Sequence, residues 1–150
     1  MQFLTFTLNA IDYGIPLKDV ESIEIRKDVM KVPTAPSHIM GIIKLRGEII
    51  PVFSLSSRFG VQEGKIDSLV IVDVNGMKIG LEVEKVKEIV DVENRQVLPM
   101  PSIMHSPENC FNDVASRSKQ LFVLLDVAGL VSMEDQQAIR KLISDNAEQK

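Results

Sequence analysis

An internal repeat is the feature that most limits the folds open to this chain. Displaced by 66 residues, Phe3-Leu4-Thr5-Phe6-Thr7-Leu8-Asn9 falls on Leu69-Val70-Ile71-Val72-Asp73-Val74-Asn75. The same displacement lays Gly14 on Gly80, Leu17, Val20 and Ile23 on Val83, Val86 and Ile89, and Val32-Pro33 on Leu98-Pro99. The second copy then carries six extra residues. At a displacement of 72, Ile49-Ile50-Pro51-Val52 falls on Leu121-Phe122-Val123-Leu124, and Ser54 falls on Asp126. A chain built twice on one plan holds two similar units. In 150 residues neither unit buries a large core alone, so the two are expected to share one.

Each copy reads as strands. Residues 3–8 and 69–74 alternate or run apolar with β-branched side chains. Asn75-Gly76 is a strong hairpin turn, because both residues tolerate positive φ. Its counterpart, Asn9-Ala10-Ile11-Asp12, reads as a longer turn. The spacing of three in Leu17, Val20, Ile23 and in Val83, Val86, Ile89 suggests a short helical turn leading into a strand. Pro33, Pro36, Pro99 and Pro101 keep their segments out of a sheet interior. Helices do not alternate with the strands, so the class is all-β. We expect two small five-stranded barrels, one from about residues 3–65 and one from about 66–131, with strands at 3–8, 49–54, 69–74, 77–83 and 121–126. Ser132 as N-cap and the face formed by Ile139, Leu142 and Ile143 indicate an amphipathic helix over 133–144 that packs on the barrels. Residues 145–150 are expected to fray.

The chemistry in the sequence is sparse. The net charge of -4 speaks against a nucleic-acid scaffold and an electrostatic membrane anchor. The apolar run from Leu121 to Val131 contains Asp126 and is too short to span a bilayer. The N-terminus lacks a basic start and a cleavage site, so no signal peptide is expected. Cys110 is the single cysteine, which fits a reducing cytosol. His38 and His105 have no metal-ligand spacing, and His105 shares a loop with Cys110 without a supporting motif. There is no phosphate-binding glycine loop. Ser102, Ser106 and Ser116 have no base nearby in sequence. Glu82 and Glu84 read as alternating acids on a solvated strand face. No catalysis, cofactor or metal is expected.

One connection stands out. Gly41-Ile42-Ile43 and Ile49-Ile50-Pro51-Val52-Phe53 are apolar runs broken by Lys44-Leu45-Arg46-Gly47-Glu48. Gly47 in third place suits a type II turn, with Arg46 projecting outward. An arginine on a short rigid turn offers five donors in a fixed fork for a carboxylate on another protein. The same charges could serve only to keep a sheet edge soluble. Physical reasoning alone leaves both readings standing.

Here the sequence resembles the CheW coupling proteins of bacterial chemotaxis. Their stretch close to G-x-x-N-L-R-G-x-x-x-P-x-x-D-L stands as Gly41, Leu45-Arg46-Gly47, Pro51 and Leu55. Tyr13-Gly14-Ile15-Pro16 with Val20 and Ile23 matches the family's start. Gly80, Val83, Val86 and Ile89 match its second half, and Leu121 to Val127 its last strand. The resemblance covers about residues 3–131. It implies two SH3-like barrels and a cytoplasmic, non-catalytic adaptor recruited to membrane receptor arrays. It further implies two partners, the helical cytoplasmic tip of a chemoreceptor and the regulatory domain of a CheA-type histidine kinase. The receptor tip would lie in an apolar groove between the barrels, lined by Val20, Ile23, Val86 and Ile89, with Gly41 and Arg46 nearby. The same four residues could instead be shared core.

The sequence departs from the family at Lys44, where Asn is usual, at Ser54 for Asp, at Ser22 for Glu and at Asp113 for Gly. Two other readings accompany the first. One is the same fold in a non-flagellar chemosensory system such as twitching motility. The other is a small-ligand or nucleotide-binding protein, which a groove of Val and Ile without convergent polar groups serves poorly.

Overall fold

The computed structural model describes residues 1–33, 35–100, 113–131 and 133–148. Among them the strands are β1 Gln2–Leu8, β2 Ile11–Pro16, β3 Val20–Ile25, β4 Ile39–Leu45, β5 Glu48–Ser54, β6 Ser68–Val74, β7 Met77–Val83, β8 Lys85–Asp91, β9 Val97–Pro99, β10 Asp113–Arg117 and β11 Gln120–Leu124. Short helices α1 (Leu55–Phe59) and α2 (Val127–Leu130) follow β5 and β11, and α3 is Met133–Glu148. The expectations for Pro101, Ser102, His105, Ser106, Cys110 and Ser132 fall outside the described residues.

Four strand pairs are joined by two-residue turns in which both residues have positive φ. They are Asn9-Ala10 (52° and 62°), Arg46-Gly47 (49° and 84°), Asn75-Gly76 (52° and 81°) and Ser118-Lys119 (51° and 67°). Two positive values define the type I′ turn, whose twist matches that of the strands it joins. Two expectations are corrected here. The Arg46-Gly47 turn is not type II, because type II needs negative φ at its first central residue. The Asn9 turn is no longer than its counterpart, and β2 begins at Ile11.

The sheets exchange their hairpins. A six-stranded sheet has the order β8-β1-β2-β11-β10-β9, and a five-stranded sheet has the order β3-β6-β7-β5-β4. The first copy's β1–β2 hairpin is thus inserted among second-copy strands, and the second copy's β6–β7 hairpin among first-copy strands. The repeat is kept in the register. β2 runs parallel to β11 with Gly14 opposite Leu124, and β7 runs parallel to β5 with Gly80 opposite Val52. The sheets are open rather than closed barrels. Proline limits the outer edges. Pro99 ends β9, and beside Pro33 and Pro36 the first copy keeps only the bridge between Met30 and Ile42 where the second has β9.

The near-continuous apolar runs are explained by burial on both sheet faces. Leu4, Phe6 and Leu8 of β1 and Val70, Val72 and Val74 of β6 enter one shared core with Phe53, Leu125 and Ile139. On the reverse faces, Phe3 joins Ala115, Phe122 and Leu124, and Leu69 joins Ile43, Ile50 and Val52. Each fully buried side chain of this size is worth about 1.5–3 kcal/mol relative to exposure. The short helices are capped alike. Ser54 Oγ accepts from Ser57 N, and Asp126 Oδ1 accepts from Ala128 N, each at 3.1 Å. Serine and aspartate are comparable N-caps, so the departure at Ser54 preserves the local structure.

Helix α3 lies on the shared core through Ile139, with Leu142 and Ile143 beside it. Gln136 Nε2 donates to Val131 O and its Oε1 accepts from Asn75 Nδ2, both at 2.9 Å, and Arg140 donates to Asn75 O at 2.6 Å. The helix continues to Glu148, past the expected end at 144.

Candidate functional site

The four apolar residues singled out in the sequence lie on two sheet edges, β3 and β8. Val20 stands opposite Val72 and Ile23 opposite Val70, while Val86 stands opposite Phe6 and Ile89 opposite Leu4. Each edge strand spends three residues where its neighbour spends two. That is a β-bulge, and it occurs at the same place in both copies. In a regular strand, residues three apart point to opposite faces. The bulge returns them to one face, the face of the shared core. The spacing of three from Val20 to Ile23 and from Val86 to Ile89 therefore comes from a bulge, while from Leu17 to Val20 it is the expected helical turn leading into a strand. Only Leu17–Asp19 makes one tight turn, and β7 is separated from β8 by Glu84 alone. Thr5 fixes the second bulge, its Oγ1 donating to Glu88 O at 2.8 Å and accepting from Glu88 N at 3.1 Å.

Val20 and Val86 are half-buried against the shared core, whereas Ile23 is 46% and Ile89 52% exposed. Both edges thus present one anchored valine and one open isoleucine. Gly41 is buried in β4, where a Cβ would lie 2.3 Å from Met30 O and 2.6 Å from Val29 Cγ1. Its φ of 154° and missing side chain let residues 29–30 lie against β4.

Arg46 is 67% exposed, and its Nη2 donates to Glu24 Oε2 at 3.1 Å. A hydrogen bond from Ser22, and then Arg46, hold the Glu24 carboxyl below the usual glutamate range. Arg46 lines a cleft of about 220 Å³ with Glu21, Ser22, Leu45, Glu48, Ile50, Ile71 and Lys78. Ile50 and Ile71 belong to the reverse-face core. Arg46 therefore lies on the opposite face of β3 from Val20 and Ile23. Only a partner that wraps the edge of β3 reaches both.

Glu82 corrects another expectation. It is 2% exposed rather than solvated, and Arg26 pairs with it at 3.1 Å. Sequence spacing gave no sign of this, because Arg26 comes from another strand end. Among the described residues no group of three His, Cys, Asp or Glu side chains could hold a metal, and no helix is long and apolar enough to cross a membrane.

The chain and its fold are similar to those of known proteins. The CheW-like domain family model matches residues 2–135. The chemotaxis protein CheW of Treponema pallidum is 28% identical over 149 residues, covering 94% of this chain and 88% of that protein. CheW of Rhizobium meliloti is 25% identical, covering 91% of each. The crystal structure of the scaffolding protein TtCheW from Thermoanaerobacter tengcongensis superposes with a TM-score of 0.80 at 28% identity, covering 89% of each chain.

Proposed function

The chain belongs to the CheW-like domain family, and from that premise we propose that it is a non-catalytic adaptor linking chemoreceptor tips to a CheA-type histidine kinase. The observation that carries this reading is the paired edge. Two equivalent strands, β3 and β8, each leave an isoleucine open at the margin of one shared core. An amphipathic helix lying across such a margin is held by a few apolar anchors, which carry most of the binding energy. Val20, Ile23, Val86 and Ile89 are the proposed receptor anchors. Arg46 adds a charge on the far side of β3 for acidic groups of the same partner, and Gly41 lets residues 29–30 lie against β4. The kinase regulatory domain engages a different surface. The adaptor works in the cytoplasm and joins receptor arrays through these contacts.

The test is co-sedimentation. Membranes bearing a chemoreceptor are mixed with a CheA-type kinase, with and without this protein. The reading predicts that the kinase pellets with the membranes only when the protein is present. Equal pelleting in both mixtures would contradict it.

A further inference from the structure

The end of β3 is fastened in an uncommon way. Arg26 follows Ile25, and its backbone N–H donates to Asp67 O at 3.0 Å. Its side chain crosses β6 to reach β7, where Nε and Nη2 donate to one oxygen of Glu82 at 3.2 and 3.1 Å. Nη1 donates to Lys27 O at 2.7 Å. The other Glu82 oxygen, Oε1, is buried without a hydrogen-bond partner. In the second copy the residue equivalent to Arg26 is Val92, buried in an apolar cluster. One edge is therefore secured by apolar packing and the other by an ion pair. Glu82 is buried and Arg26 half-buried, and an ion pair drawn out of water in this way seldom stabilises more than apolar residues of similar size, so its presence points to a role other than stability.

We propose that the Arg26–Glu82 pair is a latch that positions the β3 edge for docking, and that a proton on Glu82 releases it. The proposal rests on the docking role given above to Val20 and Ile23. Arg26 approaches Glu82 from the end of β3, and Glu63 approaches from the connection between α1 and β6. On the adjoining strands, Ser54 of β5 and Leu69 of β6 stand beside it, and neither titrates. Burial pushes the Glu82 carboxyl above the usual glutamate range, Arg26 opposes the shift, and Glu63 adds to it. Protonation removes the charge that holds Arg26, so β3 loosens as pH falls. Global stability responds in the opposite sense. A folded-state value above the unfolded one makes folding more favourable at low pH, and that gain is lost as pH rises through the folded value.

Hydrogen exchange at the β3 and β8 amides tests this, with protection factors corrected for intrinsic rates, at about pH 4, below the ordinary glutamate value, and at about pH 8. The probe for docking is a helical-hairpin fragment of a chemoreceptor tip. From high to low pH, β3 protection should fall about tenfold or more with β8 unchanged, and fragment affinity should fall with it. Glu82→Gln and Arg26→Met should show the loosened β3 at both pH values, and Arg26→Lys should restore part of the protection. Three results would overturn the latch: β3 and β8 responding alike, wild-type β3 protection in both Glu82→Gln and Arg26→Met, or loosened β3 with undiminished fragment affinity. No fragment binding by the wild type at high pH would instead overturn the docking reading, and the exchange data would still decide whether the pair holds β3.

Discussion

Arg46 sits at φ 49°, a backbone conformation that Asn adopts readily and Arg does not. A neutral Asn-Gly pair would form this turn with less strain, so the arginine is explained by its side chain. Arg46→Asn should relieve backbone strain and lose an exposed ion pair, leaving stability within about 0.5 kcal/mol of the original. Its affinity for a receptor tip should fall. A large drop in melting temperature with affinity intact would make Arg46 structural. Glu24 adds a pH signature. Its folded value is lowered, so its stabilising effect is present above the ordinary glutamate value and disappears as pH falls through the folded one. Removing Arg46 should raise the Glu24 titration midpoint, measurable by carboxyl NMR. Gly41→Ala should cost about 2 kcal/mol or more by denaturant unfolding, since its Cβ meets a backbone carbonyl that cannot swing away. The sequence made Arg46 and Gly41 visible as a motif. The Glu24 and Glu82 partners stayed hidden because both pairs join residues distant in the chain.

At the scale of elements, the repeat was legible down to the strands, and the turns extend it. Asn9 and Asn75, and Arg46 and Ser118, occupy matching turn positions at the two displacements already found. The bulges were not legible. A recurrence of three is the mark of a helix face, and the extra residue that makes a bulge carries no sequence signal of its own. Thr5→Val tests how firmly the second bulge is held. The change keeps the side-chain shape but leaves Glu88 N and O without their partner, and should cost about 1–3 kcal/mol. It should also lower the hydrogen-exchange protection of β8 more than that of β3. Equal loss on both edges would mean that Thr5 serves the whole sheet rather than the bulge.

Across the whole molecule, the repeat announced two units but not the exchange of hairpins between them. Similar hairpins satisfy the same apolar pattern in either sheet, so residue spacing cannot say which sheet a hairpin enters. The exchange has a consequence for fragments. Residues 1–65 alone lack β6–β7, which stands between β3 and β5. That fragment should show little β structure by circular dichroism and gain it on mixing with residues 66–150. A well-folded isolated fragment would contradict the shared construction. The central claim, that the paired edges form one receptor surface distinct from the kinase surface, is tested most directly by Ile89→Asp. Ile89 is 52% exposed, so the substitution should cost about 1–2 kcal/mol and leave the protein folded. Calorimetric titration of the folded variant against a receptor-tip fragment and, separately, a kinase regulatory domain should show tip binding reduced about tenfold or more and kinase binding unchanged. Unchanged tip binding, or equal loss of both partners, would contradict the account.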